Sequence, residues 1–373
     1  MSKIDVIVVG GGIAGLSTAR ELALRGLRPI VLERDRTGSH ASTAAAGILV
    51  SRGSVRSDRA GRSFYLRSLQ EYPAWIRRLS EASDIPLRLE EGDDWCFFPP
   101  GAAADRFRAR LEAESDPSRW TETESVPAGL ETSYHPDRFR AFRISGERWT
   151  DPTPLLAALR QAALAAGARI EEGCGRVELF RDGERWGART MDRTYLADSA
   201  VVAAGPWTDS VLSQLGWEAV LVPVRGQLAL VPALHGSNSM VHLEDTFYAV
   251  PRDGWTVVGA TMEHGTWDES VTAGGLSSLQ ERMRTLFPGL DLSRAGRTWS
   301  GIRPRTRDRI PHVGKLEPGL FVASGHFRSG ISMAPRTGRV LADLLTGIPL
   351  EADALELDPL RRGAWKQPEL SRL

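Results

Sequence analysis

Cysteine is almost missing from this chain: Cys96 and Cys174 are the only two in 373 residues. They lie far apart, with no histidine or further cysteine nearby at metal-ligand spacing, so neither a disulfide framework nor a metal centre is expected. Two reduced thiols in a cytoplasmic protein are the simplest reading. An excess of charge is missing too. Lys plus Arg equals Asp plus Glu at 47 each, so no net field draws the molecule to nucleic acid or to a membrane, although a zero sum still allows local basic patches. No uninterrupted apolar run reaches membrane-span length; the nearest, Ala219 to Leu234, is broken by Pro223, Arg225 and Pro232. The first residues lack the layout of a signal peptide, because their apolar run starts at once and flows into glycines that the mature protein needs. Repeats and low-complexity tracts are also absent.

What is present suits a globular enzyme. Apolar residues at 42% and charged residues at 25% exclude a disordered chain, and the length suggests two domains with their own cores. Asp5 to Val9 is a short β-branched run without alternation, as in a buried strand. A glycine cluster follows, then a helical pattern over Leu16 to Leu24, closed by Gly26, and a second buried strand from Pro29 to Leu32. These make a βαβ unit of about thirty residues. A second helix is expected over Ser63 to Glu81.

From Leu87 to Phe142 the α/β rhythm is lost, with strand candidates at Trp95 to Phe98 and Arg140 to Ile144. It returns at Thr150-Asp151-Pro152, a cap with proline in the first turn of a helix running to Ala166. Strands are expected at 168–170, 176–180 and 199–203, then antiparallel alternation at 227–231, 246–250 and 256–260. A helix over Leu276 to Leu286 leads to a last strand, Leu320 to Ala323, a glycine-rich turn, Ser324 to Gly330, and a helix from Pro335 to Leu345. The expected class is α/β plus β. A discontinuous Rossmann-type domain (1–86, 145–222 and 313–373) is interleaved with a mainly antiparallel substrate domain (87–144 and 223–312).

The strongest chemical signal is Gly10-x-Gly12-x-x-Gly15. Gly10 permits the tight turn, Gly12 lets backbone approach a pyrophosphate, and Gly15 lets the helix pack on the strand. Glu33, ending the second strand, can accept both ribose hydroxyls of an adenosine. The acidic residue fits NAD or FAD and disfavours NADP. Flavin enzymes hold a long cofactor along its length, so glycine-rich contacts recur far downstream. Ala203-Ala204-Gly205-Pro206-Trp207 and Gly325-His326-Phe327-Arg328-Ser329-Gly330-Ile331 supply them, which favours FAD over a nicotinamide dehydrogenase.

Several stretches resemble the glycine oxidase branch of the D-amino-acid oxidase and sarcosine oxidase superfamily. They are the N-terminal fold, Ser42 to Ile48, Tyr248 to Arg252 with Val257 to Met262, and Trp299 to Pro304 with Gly325 to Arg328. The resemblance implies that Gly10, Gly12, Ile13, Gly15, Glu33 and Arg34 hold the ADP half of FAD, with Val177 meeting the adenine through its backbone. Ser42, Thr43, Ala46, Gly47 and Ile48 would line the pyrophosphate and isoalloxazine. Ala204, Gly205, Trp207 and Gly301 would add contacts, and His326, Ser329, Gly330 and Ile331 would cover the flavin's pyrimidine side. Arg303 would pair bidentately with a substrate carboxylate, joined by the Tyr248 hydroxyl, with Met262 over a small pocket and Arg328 near the flavin. Ordinary alternatives stand beside these roles: a salt bridge for Arg303 or Arg328, a surface hydroxyl for Tyr248, plain core for Met262 and a satisfied turn histidine for His326.

The implied reaction is FAD-dependent oxidation of glycine or an N-substituted glycine, with molecular oxygen as final acceptor and hydrogen peroxide as a product. Its partners are small amino acids or secondary amines. The family's frequent tetramers leave a homo-oligomer open, though no segment carries an interface pattern. The chain departs from the glycine oxidase pattern at Thr246, where a histidine is usual two residues before the tyrosine. It also carries Arg52, Arg56, Arg59 and Arg62 after Ile48, either a solvated basic loop or a contact for a second substrate carboxylate. No cysteine lies near Arg303 to tether a flavin, so FAD is expected to be non-covalent. A D-amino-acid dehydrogenase with a non-oxygen acceptor, a nicotinamide enzyme and a catalytically silent flavin module are the competing readings.

Overall fold

The computed structural model describes residues 3–52, 60–126, 134–218, 220–234 and 238–361. Val6–Val9 is a strand with every residue buried, as a β-branched run without alternation demands. Burial of each such side chain contributes roughly 1.5–3 kcal/mol. It pairs in parallel with Pro29–Leu32 on one side and Ser199–Val202 on the other. Arg169–Glu171 and Leu320–Ser324 continue the sheet in parallel, and His312–Glu317 closes one edge antiparallel, giving a six-stranded sheet.

Helices Ile13–Leu24, Gly330–Thr346, Pro152–Ala165 and Arg62–Ser83 pack together over one side of this sheet. The first two approach closely because Gly338 carries no side chain: a Cβ there would meet the Ser17 carbonyl oxygen at 2.6 Å. On the other face a three-stranded sheet, Glu178–Asp182, Arg185–Arg189 and Thr194–Ala197, buries Leu179 and Trp186 against Ile7, Val9, Ile30 and Leu32.

The second large sheet runs Glu263–His264, Leu221–Pro232, Trp255–Gly259, Phe247–Arg252, Ser239–Leu243, Glu90–Phe98, Arg140–Trp149, Ile48–Leu49. Arg297–Thr306 pairs along Leu221–Pro232. Its pairings are antiparallel except that of Ser239–Leu243 with Glu90–Phe98. Ile48–Leu49 joins this sheet although its sequence neighbours belong to the nucleotide-binding fold, so the chain passes from one sheet to the other just after the glycine-rich turns.

Two expectations change. Ser239–Leu243, Arg297–Thr306, Arg185–Arg189 and Thr194–Ala197 are strands that no expected element covered. The C-terminal helix starts at Gly330, not at Pro335. Pro335 has no N–H to offer the Ile331 carbonyl, and the buried Tyr72 hydroxyl donates to that oxygen at 2.9 Å instead. A neighbouring helix thus supplies the missing hydrogen bond, and the proline is tolerated inside the helix.

Candidate active site

One continuous cavity of about 1060 Å³ runs from the C-terminal edge of the parallel sheet to the face of the second sheet. At the parallel-sheet end, Gly10 has φ +108°, and a Cβ there would collide with the Ala203 carbonyl. Gly15 sits behind the turn, where a Cβ would collide with the Gly10 carbonyl; it is a packing position and does not line the cavity. Gly12 caps the first helix, whose Ile13 N–H donates to Ser42 Oγ at 3.0 Å. Glu33 is buried and accepts from the backbone N–H groups of Gly11 and Asp35 at 2.6 and 3.0 Å, so both carboxylate oxygens are already oriented. Arg34, ion-paired with Asp35 at 2.9 Å, lies over the Trp207 ring at 4.6 Å. Val177, Ala46, Gly47 and Ile48 line the same cavity.

Thr43 does not. Its hydroxyl turns away to donate to the Gly38 carbonyl at 2.7 Å, closing a turn, so its expected contact with the cofactor is corrected to a local one. The two downstream glycine-rich turns are tied together, the Ser324 hydroxyl donating to the Gly205 carbonyl at 2.9 Å. Ala204, Gly205, Trp207, Gly301, His326, Ser329, Gly330 and Ile331 all face the cavity.

At the other end, two glycines shape the sheet face. Gly226 pairs with Gly301 and leaves room for the Arg303 guanidinium to cross over it; Gly259 pairs with Tyr248 and leaves room for its ring, whose hydroxyl a Cβ would approach to 2.8 Å. Arg303 and Tyr248 therefore converge in the cavity. Burial pushes the Tyr248 phenol above its ordinary value, and the neighbouring Arg303 partly opposes this. Arg303 donates to the Thr261 carbonyl at 3.3 Å, and no carboxylate among the described residues is within ion-pair reach of it. The protein packed around Arg328 and the neighbouring Arg303 both work against its charge, although its side chain reaches solvent through the cavity.

Arg328 is carried into place by a short loop docked on the Arg303 strand. Phe327 N–H donates to the Pro304 carbonyl at 2.9 Å, and Arg305 bridges to His326. The Arg328 guanidinium donates to the Asp245 backbone carbonyl at 3.2 Å, so the alternative of a salt bridge is replaced by a main-chain contact. His326 is buried with Nε2 3.1 Å from Thr337 Oγ1, and burial holds its pKa down to about 4, which makes it a neutral structural histidine. Met262 lines the cavity at 38% exposure and Thr246 lines it with its hydroxyl turned to the Leu243 carbonyl at 3.3 Å.

The cavity also brings Arg52 together with two groups that the sequence pattern did not single out, Asp94 and His242. Arg52 is 6% exposed and ion-paired with the fully buried Asp94, Nε to Oδ2 at 2.9 Å. The reading of a solvated basic loop is thereby overturned for Arg52; Arg62 pairs with Glu114 at 3.0 Å, and Arg56 and Arg59 lie outside the described residues. His242 shares Asp94, donating from Nδ1 to Oδ1 at 2.5 Å, and its ring lines the cavity beside Tyr248. Asp94, Cys96 and His242 bring ligand-type atoms within 4.8 Å of one another, but Arg52 already puts a cation on Asp94. Ser239–Leu243 is buried throughout and carries no alternation, so nothing local marks either His242 or Asp94.

These residues fit a bound dinucleotide with a flavin. Bare backbone at Gly10 and Gly12, an oriented carboxylate at Glu33 and the opening along Ala46–Ile48 make an elongated cradle that ends at Arg303 and Tyr248. The comparisons agree. Residues 5–344 match the sequence profile of the family described as FAD dependent oxidoreductase. The chain is 30% identical to a glycine oxidase of Bacillus licheniformis over 95% of this chain and 96% of that protein. It is similar to the crystal structure of glycine oxidase from Geobacillus kaustophilus, with a TM-score of 0.88, 31% identity and coverage of 97% and 99%. It is also similar to the crystal structure of iminodiacetate oxidase from Chelativorans sp. BNC1, with a TM-score of 0.84, 25% identity and coverage of 95% and 98%. Among the described residues no helix is long and apolar enough to cross a membrane.

Proposed function

We propose that this chain, which belongs to the family of FAD-dependent oxidoreductases and acts on amino acids or amines, oxidises glycine or an N-substituted glycine such as sarcosine or an N-carboxymethyl amino acid. The observation that carries this reading is the convergence of Arg303 and Tyr248, over Gly226 and Gly259, in the cavity shared with the dinucleotide cradle. Arg303 offers a planar fork matched to a carboxylate, with no protein carboxylate competing for it among the described residues. The buried Tyr248 hydroxyl stays protonated and donates to the same group. Arg328 adds a second cation lining the same cavity, so the pocket favours an anion.

At the other end, Glu33 and the Gly10–Gly15 turn would hold the adenosine and pyrophosphate, with Ser42, Ala46, Gly47 and Ile48 along the length of the cofactor. Gly205, Gly301 and His326 to Ile331 would close around its far end. Bound FAD supplies the acceptor for the substrate's Cα hydrogen and its electron pair. The chain's own residues orient the carboxylate so that Cα faces that acceptor, and they exclude water from the pocket. The substrate leaves as an imine that hydrolyses to glyoxylate and ammonia or an amine, and oxygen as last acceptor gives hydrogen peroxide. The iminodiacetate oxidase neighbour supports room for an N-substituent, since iminodiacetate is glycine carrying a second carboxymethyl group.

The test is anaerobic mixing of the yellow protein with glycine, sarcosine, N-carboxymethyl amino acids and D-alanine. Bleaching by glycine or sarcosine, followed by fast re-oxidation with peroxide release, is expected. Bleaching by D-alanine alone, or re-oxidation that needs an acceptor other than oxygen, would sink the proposal.

A further inference from the structure

Arg52, Asp94 and His242 form a buried relay beside Tyr248, whose strand pairs with that of His242. Asp94 stands on the strand Glu90–Phe98 and His242 on its parallel neighbour Ser239–Leu243. Both oxygens of Asp94 are engaged, Oδ2 by Arg52 Nε and Oδ1 by His242 Nδ1. Arg52 lowers the Asp94 carboxyl below the usual range despite its burial, so Asp94 is ionised and the His242 proton sits on Nδ1. His242 Nε2 is then a lone-pair acceptor on a ring that lines the cavity. Tyr248 lies directly across the strand pair from His242, with ring centroids 6.1 Å apart. An α-amino group lies only two bonds from the carboxylate carbon that Arg303 and Tyr248 would hold.

We propose that His242 is the general base of the reaction: its Nε2 takes a proton from the substrate's ammonium group and leaves the neutral amine that can push a hydride out of Cα. This rests on the amine-oxidising reading above. The step is a plain proton transfer. The N–H bond of the ammonium breaks, an Nε2–H bond forms, and the positive charge passes to an imidazolium stabilised by Asp94. Arg303 and Arg328 raise the potential at the ammonium and favour its loss of a proton. The charged and titratable groups around the ring are Asp94 and Cys96 from one strand, Tyr248 from the other neighbour, Arg52 after Ile48–Leu49, Asp245 in the following turn and Arg328 from the loop before the last helix. Burial and Arg52 keep the free imidazole unprotonated and ready to accept.

The experiment is anaerobic flavin reduction by glycine or sarcosine as a function of pH, in the holoenzyme and in His242→Asn, whose amide can still reach Asp94. In the wild type the second-order rate is expected to be nearly flat above neutrality. In the variant it should fall at neutral pH and rise about tenfold per pH unit, because only amine already neutral in solution reacts. Acetate, which has the carboxylate and no amine, should bind both proteins within about twofold by flavin difference spectra. A variant slowed equally at every pH, or one that loses acetate binding too, makes His242 merely structural and overturns the proposal. Should the asparagine variant not retain flavin, His242→Gln is read by the same criteria. A wild type bleached by no amine at all would instead overturn the amine-oxidising reading.

Discussion

The Arg303 guanidinium occupies the space that a Cβ on Gly226 would need. The two residues sit on paired strands, and the missing side chain of one fixes the path of the other. Gly226→Ala is therefore expected to displace the guanidinium without touching the dinucleotide cradle. Loss of its charge-assisted bond to the carboxylate raises KM about tenfold to a hundredfold, with flavin content unchanged. Steady-state kinetics with the flavin-to-protein absorbance ratio checks this; an unchanged KM would mean that Arg303 is not the anchor.

Tyr72 and Pro335 make a second pairing, hydroxyl for missing N–H. Tyr72→Phe leaves the Ile331 carbonyl unsatisfied and should lower stability by about 1–2 kcal/mol in denaturant unfolding. Adding Pro335→Ala restores a backbone donor, so the double variant should recover much of that loss. Strictly additive effects would refute the substitution of one donor by the other.

Removing the charge of Asp94 leaves the buried Arg52 with only the exposed Asp245 carboxylate, 3.8 Å away, to compensate it. Asp94→Asn is expected to cost about 3–5 kcal/mol of stability, and the double variant with Arg52→Met to lose clearly less. Chemical denaturation of the three proteins decides it. Equal losses in the single and double variants would show that Arg52 is not the cause.

Acid should act through the N-terminal strand. Arg28 side-chain hydrogen bonds lower the Asp5 carboxyl from its ordinary value to about 2, with Nε and Nη2 at 2.8 and 2.9 Å from its oxygens. A depressed folded-state value stabilises the protein above the unfolded value and loses that contribution as pH falls through the folded one. Asp5→Asn should thus melt lower than the wild type at pH 7, with the gap closing between about pH 4 and pH 2. A gap constant across that window would rule out the linkage.

The nucleotide-binding half was legible because its signals are local. Apolar runs at Val6–Val9 and Pro29–Leu32 bracket the glycines and end at Glu33, all within one short unit. Arg297–Thr306 was hidden for a physical reason: a strand that turns polar side chains such as Arg303 toward a cavity has no apolar alternation to read. Gly226 and Gly259 read as ordinary strand glycines until the side chains crossing them are seen. Arg52 read as either a solvated loop residue or a substrate contact, because its burial depends on Asp94, forty-two positions away, with His242 more distant still. Partners that distant leave no mark on either segment's own pattern.

The order of strands in the parallel sheet also bears on how the chain is made. Val6–Val9 is made before its neighbours: Ser199–Val202 follows nearly two hundred residues later, and Leu320–Ser324 later still. Until then the first βαβ unit exposes an unpaired sheet edge, the state most open to wrong pairing with another nascent chain. Any length of chain that stops before residue 312 lacks both His312–Glu317 and Leu320–Ser324 as well as the loop bearing Arg328, so partial translation products should be captured by chaperones rather than accumulate as half-enzymes.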